Sequence, residues 1–331
     1  MPRIVTISGP NAAGKSTISN ELLKNIDAEY AHFSNPKDMA DGKKQYYDFL
    51  DNLKNDKLYL CDRFEEGEHI YSKIYRGYEA SYLSDFENKV VKDNNFLFIY
   101  VTANLQKIYE RIDVRGEDYM KREHLGLERE LFDKFMFETQ HLPFVHVDTT
   151  NIPLQDNLKI ILESYEKLNQ IWDNVKSCNK CSDITVPLAL PRGNIQAKYF
   201  VVGQNPGGKG KLDGKYTPIF SQRSTSQFLI NTLINARIYK DCWLTNLVLC
   251  GTSDNKINNN LVDCCIDKLK LQYDLIKPEK IFVLGNEVFK YLKNNFQDCE
   301  IIAVEHPTYI KRFFSKKEDK IKEYENKFKT K

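Results

Sequence analysis

The chain has 331 residues, 41% hydrophobic and 28% charged, with a net charge of +2 at pH 7. That length accommodates two domains of ordinary size, and that composition excludes a disordered chain. No run of about eighteen apolar residues occurs, and "MPRIVTISGP" lacks the basic start and long apolar stretch of a signal peptide. The expectation is therefore a cytoplasmic protein without a membrane partner. Its eight cysteines are read as metal ligands or buried apolar residues, because disulfides do not persist in a reducing compartment.

In chain order, "RIVTISG" (Arg3–Gly9), "KLYLCD" (Lys57–Asp62), "FLFIYVT" (Phe96–Thr102) and "FVHVDTT" (Phe144–Thr150) are predicted buried strands. Helix-length segments separate them, and Leu154–Val175 is predicted as one amphipathic helix closing this series. A second series follows: "KYFVVGQ" (Lys198–Gln204), "CWLTNLV" (Cys242–Val248), "KIFVLGN" (Lys280–Asn286) and "EIIAVEH" (Glu300–His306). Strands alternating with helices predict the α/β class, with two domains, each a mostly parallel sheet carrying helices on both faces. The boundary is placed near Asp173, giving domains over 1–172 and 173–315, with a basic helix or tail over 316–331. From Lys311 to Lys331 nine Lys or Arg face four acidic residues, which predicts a solvated terminal helix or a contact to phosphate backbone.

"GPNAAGKS" (Gly9–Ser16) fits G-x-x-x-x-G-K-[ST] in full, after a strand and before the helical "STISNELLKNI". Backbone N–H groups over Gly9, Asn11, Ala12, Ala13 and Gly14 can cradle ATP phosphates at that helix start, with Thr17 in its first turn. Lys15 reaches the terminal phosphates and Ser16 ligates Mg²⁺. Asp62 and Arg63 end the next predicted strand. Asp62 suits a proton acceptor or an indirect Mg²⁺ ligand, and Arg63 and Arg76 suit phosphate pairing. Arg111 and Arg115, one helical turn apart, suit a lid closing over phosphates in the transition state.

These motifs, the phosphate loop, Asp62-Arg63 and Arg111…Arg115-Gly116, resemble the thymidylate kinase branch of P-loop kinases over residues 1 to about 165. "DRF…GEHIYSKIYRG" is most similar to the kinases of bacterial viruses. The resemblance implies phosphorylation of deoxynucleotides or, in one viral subgroup, of a hydroxymethyl group on uracil already in DNA. It also implies the cytoplasm of the infected host cell if the source is viral. Ser34-Asn35-Pro36 falls at the family's acceptor loop without its usual Arg-Glu-Pro.

"VVGQNPGGKGK" (Val201–Lys211) repeats the spacing G-x-x-x-x-G-K, but Gly210 offers no hydroxyl and "KLDGKYTPIF" shows no helical period. It is not a second nucleotide loop. Cys178 and Cys181 form a C-x-x-C, with Cys250 and Cys264-Cys265 downstream. Two separated pairs can close a zinc or iron–sulfur site, and spacing leaves zinc, iron–sulfur and buried thiols open.

The ordered set C-x-x-C, "VVGQNPGG", "PIF", "LTNLVLC", "CCIDKL", "IKPEKIFVLGNEV" and "EHPTYI" is similar to the iron–sulfur uracil-DNA glycosylases, over residues 175 to about 313. The resemblance implies a [4Fe–4S] cluster on Cys178, Cys181, Cys250 and Cys265. It also implies a pocket for a flipped base in DNA, with Phe220 stacking, Asn246 reading a pyrimidine edge and His306 donating toward a base carbonyl. "HPTYIKRF" would press on the duplex, with Lys311 and Arg312 on phosphates. The amides Gln204 and Asn205 stand where that family carries Glu. Neither is a general base, while Asn205 can position a water, as in mismatch glycosylases with "GINPG".

Joined, the halves predict an ATP-dependent kinase acting on 5-hydroxymethyluracil in viral DNA, with a glycosylase-like domain that binds or acts on the base. Two alternatives stand beside it: a thymidylate-type monophosphate kinase fused to a repair glycosylase, and a kinase with a non-catalytic DNA-binding module. The implied cofactors are ATP, Mg²⁺ and the [4Fe–4S] cluster. A homodimer is left open.

Overall fold

The structure, a computed structural model, describes residues 3–33, 35–83, 85–86, 89–90, 95–116, 122–139, 142–181, 185–186, 188–207, 216–218, 224–251, 256–296 and 298–329. Contacts divide the chain into two compact units, Met1–Glu166 and Lys167–Lys331.

In the first unit β1 (Arg3–Ser8) is buried along nearly its whole length. It runs into the phosphate loop and then α1 (Lys15–Asn25), whose Ile18, Ser19 and Leu22 face inward. The edge strand β2 (Glu29–His32) follows. Helix α2 (Met39–Asp51) is capped by Asp38, whose side chain accepts from Asp41 N. Next come β3 (Leu58–Asp62), α3 (Glu65–Tyr71), β4 (Asn95–Thr102) and α4 (Leu105–Arg115). Asn104 caps α4 at its start and Gly116, at φ 88°, ends it. Helix α5 (Leu125–Lys134) and β5 (Phe144–Asp148) follow, and α6 (Leu154–Lys176) begins in this unit and ends in the next.

The sheet order is β2-β3-β1-β4-β5, parallel throughout, with Ile7 opposite Asp62 and Ser8 opposite Tyr100. The chain goes from β1 to one side and later crosses to the other, so a crevice opens beyond the carboxyl end of β1. Both the phosphate loop and Asp62 stand there.

The second unit contains the short β6 (Leu188–Leu190), β7 (Arg192–Gly193) and β9 (Tyr216–Pro218), and the longer β8 (Tyr199–Gly203). Then come α7 (Ser224–Asn235), β10 (Cys242–Asn246), α8 (Asn259–Ile276) and β11 (Lys280–Leu284). Helix α8 starts on Asn258, whose side chain accepts from Leu261 N, and stops at Lys277 in the left-handed region before Pro278. The chain ends through α9 (Asn286–Leu292), β12 (Glu300–Val304), α10 (Pro307–Phe314) and α11 (Glu318–Asn326). The sheet order is β12-β11-β8-β10-β7, parallel except for β7 against β10. Its switch point lies at β8, so the crevice outside that strand's carboxyl end is where a ligand site forms.

All eight predicted strands form within two residues of their expected ends. A helix stands where a basic terminal helix or tail was expected, exposed except where it is anchored. Tyr324 and Phe328, 1% and 0% exposed, pack among Phe282, Leu229 and Leu233 in the second unit's core. Lysines cover only the outer face of this helix.

Candidate functional site

The phosphate loop is built by three backbone constraints. Gly9 has φ 151°, and a Cβ there would stand 1.9 Å from Val101 O, so only glycine lets the loop pass β4. Ala12 (φ 59°) and Gly14 (φ 99°) turn the chain through the left-handed region. Lys15 then folds back, its Nζ donating to Gly9 O (2.7 Å) and Pro10 O (2.8 Å). Burial pushes its ammonium down to about 8, while the carboxylates of Asp62 and Glu128 oppose that shift. Ser16 and Thr17 are exposed at the helix start.

Asp62 is 6% exposed. Its Oδ2 accepts from Tyr30 OH (3.1 Å) and lies 3.8 Å from His32 Nδ1, whereas its Oδ1 is buried with no hydrogen-bond partner. Burial, with the neighbouring Asp62 carboxylate, pushes the Tyr30 phenol up to about 12. Tyr30 therefore stays a donor to Asp62 at any ordinary pH.

Arg63 follows at φ 60°, a strained position for a non-glycine residue that costs about 1–3 kcal/mol. The next residue supplies the compensation. Phe64 is wholly buried among Phe33, Tyr46, Phe49, Phe86 and Phe96, which is worth about 2–3 kcal/mol. The anchored ring thus aims Arg63 into a cavity of about 330 Å³ that it lines with Asn11, Asn35, Pro36, Tyr71, Tyr75 and Arg76. Asn35 and Pro36 of the expected acceptor loop are there; Ser34 lies outside the described residues.

Tyr75 and Arg76 ride on a π-helical turn, Ser72–Arg76, that extends α3 and ends at Gly77 (φ 72°). Such turns concentrate at functional sites because the widened turn re-aims side chains. Arg76 pairs with the buried Glu68 carboxylate, which also accepts from Tyr78 OH at 2.6 Å. Its charge is already balanced within the protein.

Arg111 and Arg115 separate in role. The Arg111 Nη1 donates to Ala12 O and Thr149 Oγ1, both at 3.0 Å, and Nη2 to Thr149 O at 2.8 Å. It is seated on the phosphate loop's backbone. Arg115 ends α4 on the exposed side, close enough for its charge to act on Lys15.

Four buried carboxylates went unread in the sequence, the first being Glu65, whose Oε2 lies 3.5 Å from His69 Nε2. Glu66 accepts from Thr6 Oγ1 (2.7 Å) and Ser8 Oγ (3.2 Å). Glu68 holds Arg76. Glu128 accepts from Asn11 N and Asn11 Nδ2. "FEEGEHIY" reads as a solvated acidic turn, and only its position beneath β1 shows otherwise.

In the second unit the groups expected around a base gather at the carboxyl ends of the strands. Gln204 and Asn205 leave β8, and Leu247 N and Val248 N donate to Gly203 O (2.8 Å) and Gln204 O (2.9 Å). Asn246 ends β10 at 2% exposure, with Oδ1 unpartnered. An unmet buried acceptor costs about 1–3 kcal/mol, which a ligand donor would relieve. His306 caps α10, its Nδ1 accepting from Thr308 N at 3.2 Å, so a neutral ring carries its proton on Nε2. Burial lowers its basicity and favours that neutral ring. Beside it Gly285, at φ 98°, turns the chain out of β11 through a backbone region that favours glycine. Phe220 lies outside the described residues.

On α10, Tyr309 and Phe313 are 49% and 58% exposed, and the Arg312 guanidinium lies 5.7 Å from the Phe313 ring. Lys311 is half-buried on the same helix.

Cys178, Cys181, Cys250, Cys264 and Cys265 share one neighbourhood. Burial first, then Cys265, Cys181 and Cys178, push the Cys250 thiol up to about 12, and burial with Cys264 and Cys265 pushes Cys181 up to about 11. The Leu249 backbone hydrogen-bonds Cys265. Among the described residues, no three His, Cys, Asp or Glu side chains stand close enough to hold a metal ion. Charge acts over longer distances than ligation requires, so the thiols are neighbours without being closed to ligand spacing. The chain just after Cys250 passes close to the loop that follows β8. A Cβ on the next residue, Gly251, would lie 2.5 Å from Pro206 O.

Residues 190–329 match the family model of the uracil DNA glycosylase superfamily. No curated protein matches the sequence. Among solved structures, the N-terminal half is similar to the YorR protein of Bacillus subtilis in complex with phosphorylated GDP. That likeness has 20% identity and a TM-score of 0.44, covering 50% of this chain and 98% of that one. Deoxyadenosine kinase of M. mycoides with bound dATP is similar at 22% identity and a TM-score of 0.36, covering 50% and 99%. Among the described residues no helix is long and apolar enough to cross a membrane.

Proposed function

We propose that the chain is an ATP-dependent kinase that phosphorylates 5-hydroxymethyluracil within viral DNA, a step toward hypermodified thymidine. Its glycosylase-like unit binds that base or acts on it afterwards. One observation carries the reading: a phosphate-loop cavity in which Arg76 is already neutralised by Glu68 shares a chain with a unit matching base-reading proteins. Of the two guanidiniums lining the cavity, Arg76 is committed to Glu68 and Arg63 is assigned here to the transferring phosphoryl, which leaves neither for the dianion of a free nucleoside monophosphate. A hydroxymethyl group on a base inside DNA brings a neutral hydroxyl. Linking the two units then holds DNA at high effective concentration for the kinase, without any new contact.

In this reaction Asp62 Oδ1, unpartnered and beside the loop, takes the hydroxymethyl proton. The acceptor oxygen bonds the γ-phosphorus as the β–γ bridging oxygen bond breaks and ADP leaves. Lys15 turns from Gly9 O and Pro10 O to the phosphates, Arg63 and Arg115 face the transferring group, and Arg111 keeps the loop in register. Ser16 directly and Asp62 through water are the residues that would hold Mg²⁺, which when bound neutralises phosphate charge.

In the second unit Asn246 reads the pyrimidine edge, Asn205 and Gln204 border the base, and His306 donates from Nε2 to a base carbonyl. Cys250 and Cys265, both buried, and the half-buried Cys178 and Cys181 have the donor chemistry of a [4Fe–4S] cluster and are the residues that would hold one, once drawn closer than they stand here. When bound it supplies a covalent tie between the unit's start and its middle.

The test is γ-labelled ATP with Mg²⁺ and three acceptors: hydroxymethyluracil DNA, thymine DNA and free deoxynucleotides. Label entering hydroxymethyluracil DNA alone supports the reading. Label entering only free nucleotides overturns it.

A further inference from the structure

Glu128 lies 117 positions from Asn11, on α5, yet its carboxylate closes around that residue. Oε2 accepts from Asn11 N and Asn11 Nδ2, both at 2.9 Å, and Oε1 accepts from Asn11 Nδ2 at 3.0 Å. Oε1 also accepts from Tyr75 OH. The side chain is wholly buried. A residue needed only for packing would be better served there by Leu or Met, because a buried charge is costly unless it is fully bonded. Placing an anion behind a phosphate-binding loop is a further cost. Its bonds explain its presence: Asn11 is the third residue of the loop, and Asn11 and Tyr75 both line the acceptor cavity. Its charge also faces the Lys15 ammonium.

We propose that Glu128 is a positioning residue for phosphoryl transfer, fixing the phosphate loop and the tyrosine wall of the acceptor cavity against one another. The inference deepens the kinase reading and rests on it. Glu128 touches neither substrate. It acts through Asn11 on the nucleotide seat and through Tyr75 on the acceptor seat, so that both are held as one body when an acceptor oxygen approaches the γ-phosphorus. Near-attack geometry of this kind is lost with displacements of about 1 Å.

The experiment uses the full chain and a fluorescent ATP analogue, so its readout requires no acceptor. Glu128→Gln keeps the shape but loses the charge-assisted bonds, and weakens analogue binding by about tenfold or more. Asn11→Ala also weakens it, and the double variant binds no worse than the weaker single variant, because both act through one contact. A role confined to folding would lower the melting temperature and leave affinity in the folded fraction unchanged. Wild-type affinity in Glu128→Gln, or additive losses in the double variant, overturns the proposal. Should Glu128→Gln fail to fold, the Asn11→Ala and Tyr75→Phe cycle, read as labelled-phosphate transfer to hydroxymethyluracil DNA, asks the same of the carboxylate joining them. Non-additive losses support the proposal and additive ones overturn it. A wild-type chain that binds the analogue but transfers nothing to that DNA counts against the kinase reading alone.

Discussion

Replacing Gly251 with alanine is expected to damage base recognition from a position outside the base crevice's own residues. Its new Cβ would stand 2.5 Å from both Pro206 O and Val186 Cβ, about 0.9 Å inside the 3.4 Å of ordinary contact. Neither obstacle is the end of a flexible side chain. Val186 is pinned by pairing with Gly251, so the loop carrying Gln204 and Asn205 is the part that gives. Overpacking of this kind costs about 1–3 kcal/mol, which for a unit of this size lowers its melting temperature by about 2–4 °C per kcal/mol. A loop shift approaching 1 Å would weaken selective binding of hydroxymethyluracil over thymine oligonucleotides by about tenfold or more. Fluorescence anisotropy with matched oligonucleotides measures that selectivity, and affinity for an ATP analogue serves as the control. Unchanged selectivity in a folded Gly251→Ala protein would refute the argument that this loop reads the base.

Asp62→Asn should lower phosphate transfer by about 10²–10⁴-fold with ATP-analogue affinity little changed, measured by initial rates against equilibrium binding. Because burial brings the Lys15 ammonium to about 8 in the free protein, analogue affinity should hold below that pH. Above it affinity should fall as the cation is lost, read by titration between about pH 6 and 10; rising affinity across that range would contradict the role of Lys15. Tyr309→Ala with Phe313→Ala should reduce DNA binding by about tenfold or more, since base stacking is worth about 1–3 kcal/mol per base. Analogue binding is the control, and undiminished DNA affinity would remove α10 from the interface.

Much of this architecture was legible because buried parallel strands are continuous apolar runs, and "FLFIYVT" or "KIFVLGN" has few other readings. The four-residue β2, "EYAH", was not legible: it is an edge strand with alternating exposure, and its place beside Asp62 comes only from pairing. The phosphate loop could be read residue by residue because its backbone geometry demands particular residue types in sequence. Glu128 could not, since nothing local distinguishes "LGLERELF" from a surface helix, and its partner lies on a distant loop. The anchor of the terminal helix was hidden in a similar way. Charge dominates that segment's composition, while Tyr324 and Phe328 decide where it packs.

The most direct test of the account is where the transferred phosphate lands. Hydroxymethyluracil DNA is incubated with the full chain, ATP and Mg²⁺, digested by nuclease to mononucleotides without phosphatase treatment, and analysed by tandem mass spectrometry, which separates a phosphate on the base from one on the sugar. The account predicts phosphate on the hydroxymethyl carbon's oxygen of the modified base. Phosphate found only on terminal 5′ hydroxyls, or only on free deoxynucleotides, would contradict it.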